Sequence, residues 1–67
     1  MELYYGTDEN MKLLGEFETI QEAYKRMYEY IKEIGFKSYY QRMWYIEKGL
    51  RVIDYGSHTK FFYIKEK

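Results

Sequence analysis

There is no cysteine and no proline in this chain. Without cysteine, no disulfide can staple the fold and no thiolate can hold a metal. That absence fits a reducing compartment. No low-complexity tract is present, so nothing reads as a linker or a disordered tail. No apolar run approaches the roughly 20 residues that a bilayer-crossing helix needs. The first residues also lack the basic-then-apolar layout of a signal peptide. Excess charge is missing too, because 11 bases balance 11 acids. A zero balance argues against a general duplex-DNA binder, which needs a broad basic field, and equally against a heavily acidic DNA mimic.

What is there is aromatic. Aromatic residues make up 22% of the 67 positions, and ten of them are tyrosines. A chain this short forms one domain, residues 1–67, near the lower limit of independent stability. Its aliphatic stock is small. Tyrosine carries a large apolar face and a polar tip, and it is favoured where a surface meets a partner or ligand. A thin core and this composition together predict a homo-oligomer, a dimer or tetramer. The charge is also segregated. Residues 1–33 hold eight acids and four bases, whereas residues 34–67 hold seven bases and three acids.

The pattern predicts ββαβββ, an α+β fold: an antiparallel sheet with one amphipathic helix packed on one face. ELYYG (2–6) and MKLLGEFE (11–18) flank the turn cluster TDEN and read as a hairpin, with Gly15 marking a bulge or a close backbone approach. Thr19 followed by Glu22 is a capping box. Ile20, Ala23, Tyr24, Met27, Ile31 and Ile34 then form one helical stripe, which Gly35 closes. From Phe36 the period becomes that of strands. SYYQRMWYI is a long strand, Glu47–Lys48–Gly49 a turn, and Leu50 to about Tyr55 the returning strand. Gly56 to Thr59 turn the chain again and KFFYIKE closes the sheet.

In the third strand Tyr40, Arg42, Trp44 and Ile46 share one side, and Tyr39, Gln41, Met43 and Tyr45 the other. Alternation leaves open which side meets the helix. In the last strand Phe61 and Tyr63 oppose Phe62 and Ile64. One helix covers one face only, so an uncovered aromatic face is expected, needing a subunit, a ligand or both.

DYGSHTKFFYI (54–64) holds Asp54, Ser57 and His58, the residue types of a hydrolase triad. A triad needs serine and histidine side chains within hydrogen-bond reach. Adjacent Ser57 and His58 diverge in extended chain, and no G-x-S-x-G elbow is present. The loop therefore reads either as a turn or as a ligand loop. In the second reading Ser57 and Thr59 offer hydroxyls, His58 a further hydrogen bond, and Lys60 a charge for an anion. One histidine and scattered carboxylates make no metal-ligand spacing, and no cofactor motif appears.

The stronger signal is aromatic and basic interleaving. Arg42 lies two residues from Tyr40 and from Trp44, with Arg51 and Tyr55 on the returning strand. Rings of this kind stack planar bases, and guanidinium groups meet phosphates bidentately. The same residue types are enriched at subunit interfaces. A ligand held at an oligomer interface satisfies both readings.

The layout GEFET, amphipathic helix, FKSYYQRMW, DYGSHTKFFYI resembles a set of very small proteins carried by phages of Gram-positive bacteria, over nearly the whole chain. More loosely, size and tyrosine content look like the phage anti-CBASS sponge proteins, which sequester cyclic nucleotide immune signals without catalysis. That likeness implies a non-enzymatic oligomer in the host bacterial cytoplasm, with a cyclic nucleotide as ligand and neither duplex DNA nor a membrane as partner. The residues themselves supply the expected ligand set: Tyr40, Arg42, Trp44, Arg51, Tyr55, Ser57, His58, Thr59 and Lys60. The rival expectations are inhibition of a host protein through the aromatic face and single-stranded nucleic-acid binding by the same face.

Overall fold

The structure is a computed structural model, and it describes residues 1–38 and 40–66. The elements follow the expected order. They are β1 (Glu2–Gly6), β2 (Met11–Glu16), α1 (Ile20–Glu33), β3 (Arg42–Glu47), β4 (Leu50–Asp54) and β5 (Phe61–Lys65). All five strands join one antiparallel sheet in the order β2-β1-β5-β4-β3. The β1–β2 hairpin turns through a reciprocal pair of backbone bonds between Thr7 and Asn10, at 3.1 and 3.2 Å. Its ladder slips at Leu3/Tyr4, and Gly15 lies opposite Leu3 at that irregularity. A bulge there leaves one residue of β2 without a cross-strand mate.

The helix carries the chain from one edge of the sheet to the other. At its start the Thr19 hydroxyl accepts the Glu22 N–H at 3.2 Å, satisfying one of the free donors of the first turn. The Glu22 carboxylate returns to that hydroxyl at 3.1 Å rather than to the Thr19 backbone. At its end Gly35 takes φ +73°. Gly35 N–H then bonds the Lys32 carbonyl and Phe36 N–H the Ile31 carbonyl, a Schellman closure. Ala23, Met27 and Ile31 form the buried stripe. Ile34 was expected to belong to it, but as the C-cap it has turned out of the packed face and is exposed. Among the described residues no helix is long and apolar enough to cross a membrane.

Strand register sorts the side chains into two layers. Trp44, Val52, Tyr63, Tyr4 and Leu13 lie opposite one another across all five strands and share one face. The neighbouring rung, Met43, Ile53, Phe62, Tyr5 and Lys12, lies on the other face. The core forms on this second face, where Leu3, Ile53, Phe62 and Ile64 meet Ala23, Met27 and Ile31 of the helix. Three tyrosines complete it. Tyr5, Tyr30 and Tyr55 ring Phe62 with centroids at 4.9, 6.1 and 5.0 Å, mostly tilted or edge-on as the ring quadrupoles favour. The aliphatic shortage is thus made up with aromatic rings inside the core.

Two strand boundaries differ from the sequence reading. The third strand begins at Arg42, not before Tyr40. The Ser38 hydroxyl instead donates to the carbonyls of Tyr40 and Tyr55, at 3.1 and 2.9 Å. It holds the approach to β3 as a loop. Tyr39, which alternation assigned to the third strand, lies outside the described residues. The second strand ends at Glu16. Phe17 lies beyond it, still paired to Met1 by backbone bonds of 2.7 and 2.6 Å, with its ring packed against the core.

Candidate functional site

The helix covers the middle of one sheet face and leaves β3 bare. All six residues of β3 are exposed. Met43, Trp44, Tyr45 and Ile46 each keep between 41% and 53% of their surface in solvent. The strand is therefore apolar on both sides and solvent-facing on both, a combination that sequence alternation alone left unresolved.

On the open face Trp44 meets the edge of Phe61, with centroids 6.2 Å apart and planes at 76°. These two rings, with Ile46, Val52, Thr59 and Tyr63, line a shallow trough of about 300 Å³. Val52 and Tyr63 form its floor and are almost fully buried, although no helix lies over them. Burial raises the Tyr63 hydroxyl above its usual range, with the Asp8 charge adding to the shift. Arg42 stands on this face too, opposite Asp54 in the ladder, and its guanidinium lies 5.4 Å from the Tyr40 ring centre. Among the described residues neither Arg42 nor Glu47 forms an ion pair.

The nine expected ligand residues are not all brought together. Arg42, Trp44 and Thr59 reach the open face. Tyr40 is exposed and belongs with Tyr28 and Gln41 to a separate cleft between the helix and the loop that precedes β3. Arg51 lies on the helix face, opposite Ile64 and Tyr45. It donates to the Tyr45 hydroxyl at 2.7 Å and to the Tyr24 hydroxyl at 3.3 Å. Those bonds, Tyr24 first, hold its guanidinium even more firmly charged than usual. A guanidinium so engaged is a strut of the fold.

Tyr55 departs furthest from expectation. It is 1% exposed, and its hydroxyl pairs with that of Tyr5 at 2.8 Å. Its ring is a core ring and has no free face on which to stack a base. The same hydroxyl pair, after burial itself, pushes the Tyr5 phenol well above the ordinary tyrosine range.

The loop of Asp54, Ser57 and His58 is wired as a turn. The Asp54 carboxylate accepts the Gly56 N–H at 2.9 Å. The Ser57 hydroxyl oxygen accepts the N–H groups of Thr59 and Lys60 at 3.4 and 3.3 Å. Such Asx and Ser turns are local backbone devices. His58 is exposed. Lys60 points to the other side of the sheet edge, with its ammonium 5.7 Å from the Tyr5 ring centre. There it lines a second hollow of about 320 Å³ with Lys12, Tyr30 and Asn10.

Sequence reading had placed Phe61 and Tyr63 on one side of the last strand, but it did not assign them to the site. The signal lay in alternation: once Phe62 and Ile64 go to the core, Phe61 and Tyr63 must line whatever lies opposite. Lys12 came with no such signal, because only the folded hairpin brings it near Lys60. Among the described residues no three His, Asp or Glu side chains gather as a metal site. No protein-family profile matches the chain, and neither curated proteins nor solved structures give a match.

Proposed function

We propose that this chain is a non-enzymatic binding protein that captures a cyclic dinucleotide on the open face of its sheet and removes the signal from circulation without converting it. One observation carries the reading: an aromatic trough, with the single carboxylate of Asp8 in its lining, lies on the same sheet face as Arg42, which forms no ion pair among the described residues. Trp44 and Phe61 offer flat apolar surface to a base, a contact worth about 1–3 kcal/mol per stacked base. Arg42 offers the planar fork that matches a phosphate. Thr59 offers a hydroxyl at the trough wall. The resemblance to phage sponge proteins points the same way.

The test is calorimetric titration with a panel of cyclic di- and trinucleotides. Micromolar or tighter binding is expected, with intact ligand recovered on denaturation. Trp44→Ala and Arg42→Ala should each weaken it at least tenfold. Absence of heat with every member refutes the proposal, and recovery of altered ligand replaces it with an enzyme.

A second reading is favoured by one further observation, the four successive apolar residues of β3 exposed on both faces. A protein inhibitor would seat such a strand on its target. In that case a single stoichiometric partner would be retained from bacterial lysate by the native chain and lost with Met43→Lys.

A further inference from the structure

The two edges of the sheet are built differently. The β2 edge carries Lys12 and Glu16, and its ladder is interrupted beside Gly15. Charge and irregularity of this kind blunt an edge against pairing with another chain. The β3 edge has four consecutive apolar residues between Arg42 and Glu47. Its outer backbone groups have no neighbouring strand, because β3 ends the sheet.

The end charges of β3 are five positions apart. In a regular strand that spacing would put them on opposite faces. The ladder between β3 and β4 shifts between Tyr45 and Glu47, however. Arg42 lies opposite Asp54, Trp44 opposite Val52 and Glu47 opposite Leu50. Asp54, Val52 and Leu50 alternate along β4 onto one face, so Arg42, Trp44 and Glu47 share that face as well. The bulge has brought the two charges to the same side.

With the bulge counted as one position, the strand becomes symmetric about Trp44. A two-fold axis normal to the sheet preserves faces and sets two copies of β3 antiparallel. Arg42 of one copy then faces Glu47 of the other, Met43 faces Tyr45, and Trp44 faces Trp44. Each pairing joins residues on the same face, as cross-strand neighbours must be. Arg42 and Glu47, without ion-pair partners among the described residues of one chain, find them in the second.

We propose that β3 is the interface between two copies of this chain, which pair antiparallel about Trp44 into one continuous ten-stranded sheet. A parallel pairing would set Arg42 against Arg42 and is disfavoured by like charge. The dimer stands on the edge geometry alone. One consequence rests on the reading given under Proposed function: pairing brings both Trp44 rings to the axis and joins the two troughs, and Arg42 divides its five N–H donors between Glu47 of the second copy and a ligand phosphate. The merged site then has the two-fold symmetry of a cyclic dinucleotide with two like bases.

Light scattering and charge exchange test the interface. The native chain should scatter as twice its 8.4 kDa at micromolar concentration. Arg42→Glu and Glu47→Arg each place like charges across both ends of the pair, and each should weaken the dimer about tenfold. The double variant carrying both substitutions should regain the native dissociation constant, because the exchanged charges again face each other. Circular dichroism checks that all three variants fold, and both positions are exposed. A native chain that stays monomeric at 100 μM overturns the proposal and leaves the edge to a partner of different sequence. A double variant no better than the singles overturns this register. A dimer that binds no cyclic dinucleotide sinks the functional reading and leaves the interface standing.

Discussion

Phe61 and Phe62 are chemically identical neighbours whose removal should have very different costs. Phe62 is fully buried and packs against three tyrosine rings, Tyr5, Tyr30 and Tyr55, at centroid distances of 4.9, 6.1 and 5.0 Å. Truncating it to alanine removes a whole ring from the centre of the core and leaves a cavity that the sheet cannot close. Such changes cost about 3–5 kcal/mol. A domain of 67 residues has a total stability on the order of 3–10 kcal/mol, at roughly 0.05–0.15 kcal/mol per residue. Phe62→Ala should therefore leave the protein at or below the threshold of folding.

Phe61 sits half-buried on the open face, with Trp44 at 6.2 Å as its one ring partner among the described residues. Its removal uncovers trough wall that water can fill, and the cost should be about 1–2 kcal/mol. Urea denaturation followed by circular dichroism, at one fixed protein concentration, reads both values. Phe62→Leu provides a folded intermediate if the alanine variant does not fold. Equal losses for the two alanine variants, or a larger loss for Phe61→Ala, would refute the facing of β5 outright. A register error of one residue exchanges the two faces of a strand completely.

Three further outcomes follow from particular contacts. Tyr5 and Tyr63 are both held above the usual tyrosine range, burial being the leading cause in each. Unfolded tyrosines ionise near pH 10, so the unfolded chain loses protons there that the folded chain keeps. The stability from these groups is therefore complete below about pH 10 and falls as pH rises beyond it. Urea midpoints between pH 8 and 11 should show that fall, and Tyr5→Phe should reduce it; a profile flat to pH 11 would contradict the burial of these phenols. Tyr55→Phe, which removes the 2.8 Å hydroxyl pair with Tyr5, should cost only about 1 kcal/mol, because Tyr5 keeps partial access to water. Gly6→Ala should cost more than about 2 kcal/mol, since φ is +142° and an added Cβ would stand 2.4 Å from the Asn10 carbonyl oxygen. Gly35→Ala, at φ +73° with open space around the new methyl, should cost about 1 kcal/mol, and thermal melts compare the pair.

Local chemistry made much of the architecture legible. The Thr19 cap, the Ala23, Met27, Ile31 stripe and Gly35 define the helix by short-range rules, and each appears where the sequence places it, although Glu22 returns to the Thr19 hydroxyl and not to its N–H. The hairpin turns at Asn10, Gly49 and Gly56 delimit the strands in the same way, and the α+β order follows. The candidate site was legible only in its materials. Trp44, Arg42 and Thr59 could be named as ligand-type residues, but so could Tyr55, Arg51 and Ser57 by the same criteria.

What separated these two groups is distance along the chain. Tyr55 became a core ring because Tyr5, fifty residues earlier, pairs with its hydroxyl. Arg51 became a strut because Tyr24 of the helix comes over β4 to meet it. Phase along β3 was likewise undecidable from alternation, since both of its sides are apolar and a bulge between Tyr45 and Glu47 resets the count. Period and composition were enough to order the helix and the five strands and to require an exposed aromatic surface, although they began the third strand too early. Only tertiary structure decided which aromatic residues are spent on the core and which are left outside. A ring's free surface depends on what the sheet order and the helix bring over it, and no local pattern carries that information.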